Sequence, residues 1–162
     1  MSAPVAPNAM IGRWRRFSGT ALGRRLFSAS IGRYARYTGT IRPRIEVLEP
    51  GRAVVRMRDR AAVRNHLRSI HAVALMNLGE VTSGLALLAG LSPDARAILV
   101  GLSMEYHKKA RGPLTAECRC PVISDPAERR IQIQAPIRDG QGEVVAEAVA
   151  TWLIGPVPEP RP

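Results

Sequence analysis

The chain has 162 residues, 46% hydrophobic and 23% charged, which excludes a disordered polymer and fits one domain with a sizeable core. Its net charge of +11 is unevenly placed: residues 1–45 carry nine arginines and no acid, leaving 15 bases against 13 acids in a nearly neutral body. Two cysteines, Cys118 and Cys120, two apart on an expected strand, do not form a disulfide framework and fit a reducing cytoplasm. Three histidines without cysteine or carboxylate partners at ligand spacing argue against a metal site. Arginine outnumbers lysine 22 to 2, which points to a GC-rich bacterial genome.

In chain order, residues 1–10, with Pro4 and Pro7, read as a loose tail. From Ile11 to Tyr37, apolar residues recur at helical spacing among arginines, which predicts one or two short amphipathic helices ending before Pro43. No uninterrupted apolar core separates those arginines, so a secretory signal is not indicated. Strands follow over residues 44–48 and 53–58, split by the turn Glu49-Pro50-Gly51-Arg52. A helix is predicted over residues 69–89, with Ser69 as N-cap and Gly90 as its stop. Residues 97–108, 114–123, 130–138 and 143–154 read as four more strands separated by turn chemistry. Residues 156–162, with four prolines, read as an unstructured tail.

Two strands, one long apolar helix and four strands make an α+β pattern: a long central helix wrapped by a curved antiparallel sheet of about six strands, after an N-terminal helical extension over residues 1–43. Between residues 69 and 93, Glu80 is the only side chain with a full charge. The stretch is long enough to span a membrane, but Asn77, Gly79, Glu80, Thr82, Ser83 and Gly84 crowd its centre, which favours a buried core helix. A carboxylate there is either paired, for example to Arg64 or Arg68, or held for proton transfer.

Residues 65–80, N-H-L-R-S-I-H-A-V-A-L-M-N-L-G-E, resemble the signature of the hotdog-fold thioesterases, nearest to their PaaI-like acyl-CoA branch. Residues 107–118 and 142–154 are similar to the hairpin after the third strand and to the last strand of that family. The resemblance covers residues 44–155 and implies hydrolysis of an acyl-CoA thioester by a homodimer, or a dimer of dimers, with active sites between protomers. It implies catalytic positions at Asn65, His71, Ala72 and Glu80. The first turn of a helix offers unpaired N–H groups, so the Ala72 region suits a thioester oxyanion. Glu80 would activate water as general base or attack the carbonyl itself, and Asn65 would orient water or thioester. His71 would hold the helix start. The backbones of Ala72 and Glu80 lie roughly 12 Å apart along a helix rising about 1.5 Å per residue, so one substrate carbonyl needs the two from different chains.

The chain departs from the family's His-Gly-Gly at the helix start with His71-Ala72-Val73, which narrows the approach to the backbone. An alternative is therefore a non-catalytic acyl-CoA- or lipid-binding hotdog protein. Lys108, Lys109 and Arg111 are expected to meet the phosphates of CoA, which is part of the substrate; no separate cofactor is expected. Residues 11–37, cationic with Trp14, Phe17 and Phe27, suit an anionic membrane surface on an otherwise cytoplasmic protein, or a lid over an acyl channel. No recognition motif accompanies the charge, so nucleic acid is not an expected partner.

Overall fold

The computed structural model describes residues 9–158. Three helices open the chain, α1 (Ala9–Phe17), α2 (Ala21–Tyr34) and the short α3 (Arg36–Gly39). There follow β1 (Arg44–Glu49), β2 (Arg52–Met57), the long helix α4 (Ala72–Ala89), then β3 (Ala95–Tyr106), β4 (Leu114–Arg119), β5 (Arg129–Arg138) and β6 (Val144–Pro156). All neighbouring strands pair antiparallel in the order β1-β2-β4-β5-β6-β3. This is the α+β hotdog architecture expected from the sequence.

The sheet curls around α4, which touches every one of its six strands. Bulges at Ile45/Val47 in β1 and Leu99/Gly101 in β3 add the local twist that such wrapping needs. Two glycines let helix and sheet approach closely: a side chain at Gly79 would collide with Ala148 of β6, and one at Gly84 would meet the Trp152 ring at 3.2 Å. α4 is long and apolar enough to cross a membrane, yet most of it lies buried inside the sheet.

The extension is part of the same core. Ile11, Trp14 and Phe27 are buried with the body's side chains, and the Trp14 and Phe27 rings meet edge-on at 5.1 Å. The edge strand β1 is tied to α2, because the Ile45 N–H donates to Ser28 Oγ at 2.9 Å. β3, at the other end of the sheet, keeps an open edge with Ile98 and Val100 exposed.

Several boundaries differ from the sequence reading. The helix begins at Ala72 instead of residue 69, because Ser69 is buried and its hydroxyl donates to Asn65 Oδ1. Ile70 bridges Arg64 and donates its N–H to Ala110, so the cap falls to His71. β4 stops at Arg119, ahead of Pro121, and Ile123 bridges Leu91 beyond the end of α4 instead. Pro156, assigned to a tail, pairs with Ala95 at the end of β6. The expected loose start falls outside the described residues over 1–8, while Ala9 and Met10 already belong to α1; residues 159–162 of the expected tail also lie outside them.

Candidate active site at the start and middle of α4

The segment leading into α4 is held from several sides. Asp59 pairs with Arg64 at 2.6 Å and accepts the Gly112 N–H at 2.9 Å, and the Arg64 guanidinium keeps its carboxyl below the usual range. Asn65 then organises a tight turn: its Oδ1 accepts the Leu67 N–H at 3.0 Å, the Ser69 N–H at 3.2 Å and the Ser69 hydroxyl at 3.1 Å. Inside that turn Arg68 takes a left-handed conformation, φ 57°. The Asn65 side-chain oxygen is thus structural, and its amide NH2 has no partner among the described residues.

His71 is exposed and caps α4, its Nδ1 accepting the Val73 N–H at 3.1 Å. The ring proton then sits on Nε2. His71 O takes the N–H groups of Ala74 and Leu75, so of the first helical amides only that of Ala72 has no partner among the described residues. That N–H is the orphan donor expected at a helix start, and Ala72 is exposed. The Tyr106 hydroxyl, at the end of β3, reaches the Ala72 carbonyl at 3.4 Å. Nothing in the sequence pattern singles out Tyr106, whose contact depends on strand β3 running past the helix start.

Glu80 sits two turns further on, half-buried. Among the described residues its carboxylate takes no ion pair or hydrogen bond; Arg64, a candidate partner, is spent on Asp59. Burial alone pushes its pKa above the ordinary carboxylate value. Behind it, Ser83 and Thr82 are buried and return their hydroxyls to the Glu80 and Leu78 carbonyls, at 3.0 and 2.6 Å, so neither hydroxyl is aimed at the carboxylate. Val73, Met76 and Glu80, three of the less covered residues of α4, recur at i, i+3 and i+7 and therefore form one stripe. The helix start and Glu80 thus open on the same side of α4.

Asn77, one turn before Glu80, faces the extension instead: it is buried, its Nδ2 donates to the Tyr37 carbonyl at 3.1 Å, and its Oδ1 has no partner. It borders a cavity of about 180 Å³ that also touches His71, Ala74 and Ile41. Of the residues expected at CoA phosphates, Lys108 is occupied by Asp139 at 2.8 Å and by Glu143. Lys109 and Arg111 are exposed without an ion pair among the described residues. No group of three or more metal-ligating side chains occurs among the described residues.

Residues 23–154 match the family described as Domain of unknown function (DUF4442). The chain belongs to this family. The match opens inside α2, so the family's own span takes in all of α3 and all but the first two residues of α2 in this DUF4442 chain. No curated protein matches it. Among solved structures, the DUF4442 chain is similar to the structural-genomics protein APC5556, at 28% identity and TM-score 0.79, over 91% of this chain and 99% of that one. It is also similar to PA5026 from Pseudomonas aeruginosa, described as a protein of unknown function and probable thioesterase, at 25% identity and TM-score 0.72, over 85% and 97% of the two chains. The Staphylococcus aureus thioesterase SAV0944 shares the fold at 18% identity and TM-score 0.65, over 75% of this chain and 99% of that one.

Proposed function

We propose that this DUF4442 chain is a thioester hydrolase acting on an acyl-CoA, with Glu80 as general base or nucleophile. The observation that carries this reading is the unpaired, partly desolvated Glu80 carboxylate in an otherwise apolar helix. Burial that raises the pKa of a carboxylate makes it a better base once ionised. The free Ala72 N–H would polarise the thioester carbonyl, with His71 fixing the helix start and the Asn65 NH2 positioning water or thioester. The thioesterase description of PA5026, 25% identical, agrees with this chemistry.

The assembly is a homodimer, alone or doubled, whose sites combine Ala72 of one protomer with Glu80 of the other. Two features support it: the roughly 12 Å between the two positions at about 1.5 Å per residue, and the open β3 edge with exposed Ile98 and Val100. Of the three cations expected at CoA phosphates, Lys109 and Arg111 remain available. Thiol release from a panel of acyl-CoAs tests the assignment, wild type against Glu80→Gln. Turnover unchanged by the substitution removes Glu80 from the chemistry.

The Ala72-Val73 pair, where the hotdog thioesterases that the chain resembles carry Gly-Gly, favours a second reading, an acyl-CoA or lipid binder without turnover. Tight acyl-CoA binding with no thiol release from any substrate would establish it. Membrane attachment accompanies either reading: Phe17, Leu22, Leu26 and Tyr34 are exposed among the arginines of α1 and α2. Because the extension also contributes core residues, the test is Leu22→Ser with Leu26→Ser in the full chain. Co-sedimentation with anionic liposomes undiminished by both changes ends the membrane reading.

A further inference from the structure

A cavity of about 750 Å³ opens between the extension and the β1–β2 hairpin, lined neither by Glu80 nor by Ala72. Its size is that of a small-molecule site. On the helix side, Arg25, Ser28, Ala29, Gly32 and Arg33 recur at i, i+3, i+4, i+7 and i+8, so one strip of α2 offers a floor of small residues with an arginine at each end. On the strand side, Arg44 and Arg56 lie directly opposite each other in the β1–β2 register, and Arg58 follows. The connection between helices and strands adds Arg42, in a left-handed conformation at φ 50°, and the segment after β2 adds Arg60.

Seven arginines from three segments therefore line one concavity, and no aspartate or glutamate lines it. Arg44 alone has a carboxylate partner, Glu46 at 3.1 Å; the other six take part in no ion pair among the described residues. Arg60 donates to the Thr40 carbonyl at 2.9 Å, while its buried Nε has no acceptor. Burial, and then the neighbouring Arg42 charge, push its pKa down. Scattered surface arginines are solvated separately and need no counter-ion, but like charges held directly opposite on paired strands oppose folding. The arrangement makes physical sense with an anion between them.

We propose that this cavity binds a ligand through a phosphomonoester or diphosphate group, clasped between the arginines of α2 and those of β1 and β2. Guanidinium forks suit phosphate oxygens in pairs, and several forks at different angles suit a group with at least two negative charges. The proposal does not rest on Glu80 chemistry, because none of the arginines lies on α4. A soluble nucleotide and a phospholipid headgroup present the same chemistry, and the experiment separates them.

Calorimetric titration of the full chain with inorganic pyrophosphate and with adenosine 3′,5′-bisphosphate tests the soluble source. Vesicles of phosphatidic acid, against phosphatidylglycerol at equal surface charge, test the lipid source. Arg56→Gln with Arg58→Gln is expected to weaken the bound probe about tenfold or more, as loss of charge-assisted hydrogen bonds does. The charge-matched pair Arg13→Gln with Arg15→Gln, exposed on α1 and outside the cavity, leaves the affinity for soluble probes within about twofold. Arg56→Gln is also expected to raise the melting temperature of the free protein, by removing the like charge opposite Arg44 in the β1–β2 register, while losing the rise that the ligand confers. Selective phosphatidic acid binding without nucleotide or pyrophosphate binding assigns the phosphate to a lipid. Equal losses in both double variants for the soluble probes, or no binding of any probe, overturns the proposal.

Discussion

His71 Nδ1 accepts the Val73 N–H at 3.1 Å, and this one bond sets which amide at the head of α4 stays free. With Val73 capped and the next two amides on the His71 carbonyl, the remaining donor is that of Ala72. Capping and the candidate oxyanion position are thus consequences of the same side chain.

Replacing His71 by alanine should therefore cost about 1 kcal/mol, the usual loss of an N-cap, while His71→Asn should retain most of it. Urea unfolding measures the difference. If the ring took part in proton transfer as well, His71→Asn would restore stability without restoring thiol release. A cap role alone predicts that the two recover together.

Glu80→Gln should stabilise the protein at neutral pH. Burial raises the folded-state pKa of Glu80 above its unfolded value, so between those two values the native state holds more protons than the unfolded chain. Its contribution is fully favourable below the unfolded pKa and is lost as pH rises through the folded pKa. Above the folded pKa the native protein bears the desolvated charge, and the glutamine variant avoids it. A gain of about 1 kcal/mol or less is expected, since part of the carboxylate remains in water. Thermal melts of both forms should separate at pH 7 and converge near pH 4. The same shift places the acidic limb of the thiol-release profile above the ordinary carboxylate value of 4.5.

The succession of elements along the chain and the long central helix are legible because each rests on a local pattern: the alternation of Ile131, Ile133 and Ala135, the turn at Pro50-Gly51, the apolar run ending at Gly90; the place of β3 in the sheet is not, because it pairs with β6 instead of forming a hairpin with β4. Glu80 stood out for the same reason, a single charge in an apolar window. What could not be read locally depends on contacts distant in sequence. Ser69 looks like an N-cap until Asn65 and Ala110 claim the segment, which moves the helix start to Ala72. Tyr106 meets Ala72 only because β3 passes the helix start. The arginine-lined cavity joins residues 25–33 to 42–60, and its individual arginines look like ordinary surface charges until the fold brings them together.

The extension, read from sequence as a basic helical segment for a membrane surface or a lid, supplies core. Trp14 is 6% exposed and stacks edge-on with Phe27 at 5.1 Å. Trp14→Ala should cost about 3–5 kcal/mol, the range for a buried aromatic, and Arg13→Ala beside it close to nothing. Denaturant unfolding monitored by far-ultraviolet circular dichroism distinguishes them. Equal, small effects would mean that the helix only rests on the surface.

Gly79→Ala brings two effects into conflict. Alanine is the better helix former by about 1 kcal/mol, but its Cβ would collide with Ala148 on β6. The obstacle is not a flexible chain end: Ala148 has one fixed Cβ on an interior strand, and α4 is held by all six strands. The helix must lift away, and overpacking of this kind costs about 1–3 kcal/mol, so the net effect is destabilising. At Gly84 the added Cβ meets the Trp152 ring at 3.2–3.3 Å, where a small ring shift suffices, and the propensity gain leaves Gly84→Ala near neutral. Melting curves of the two variants should therefore differ in direction from a pure propensity expectation at residue 79 only. Since Gly79 adjoins Glu80, the same lift should displace the carboxylate, and thiol release should fall further in Gly79→Ala than its stability loss alone requires.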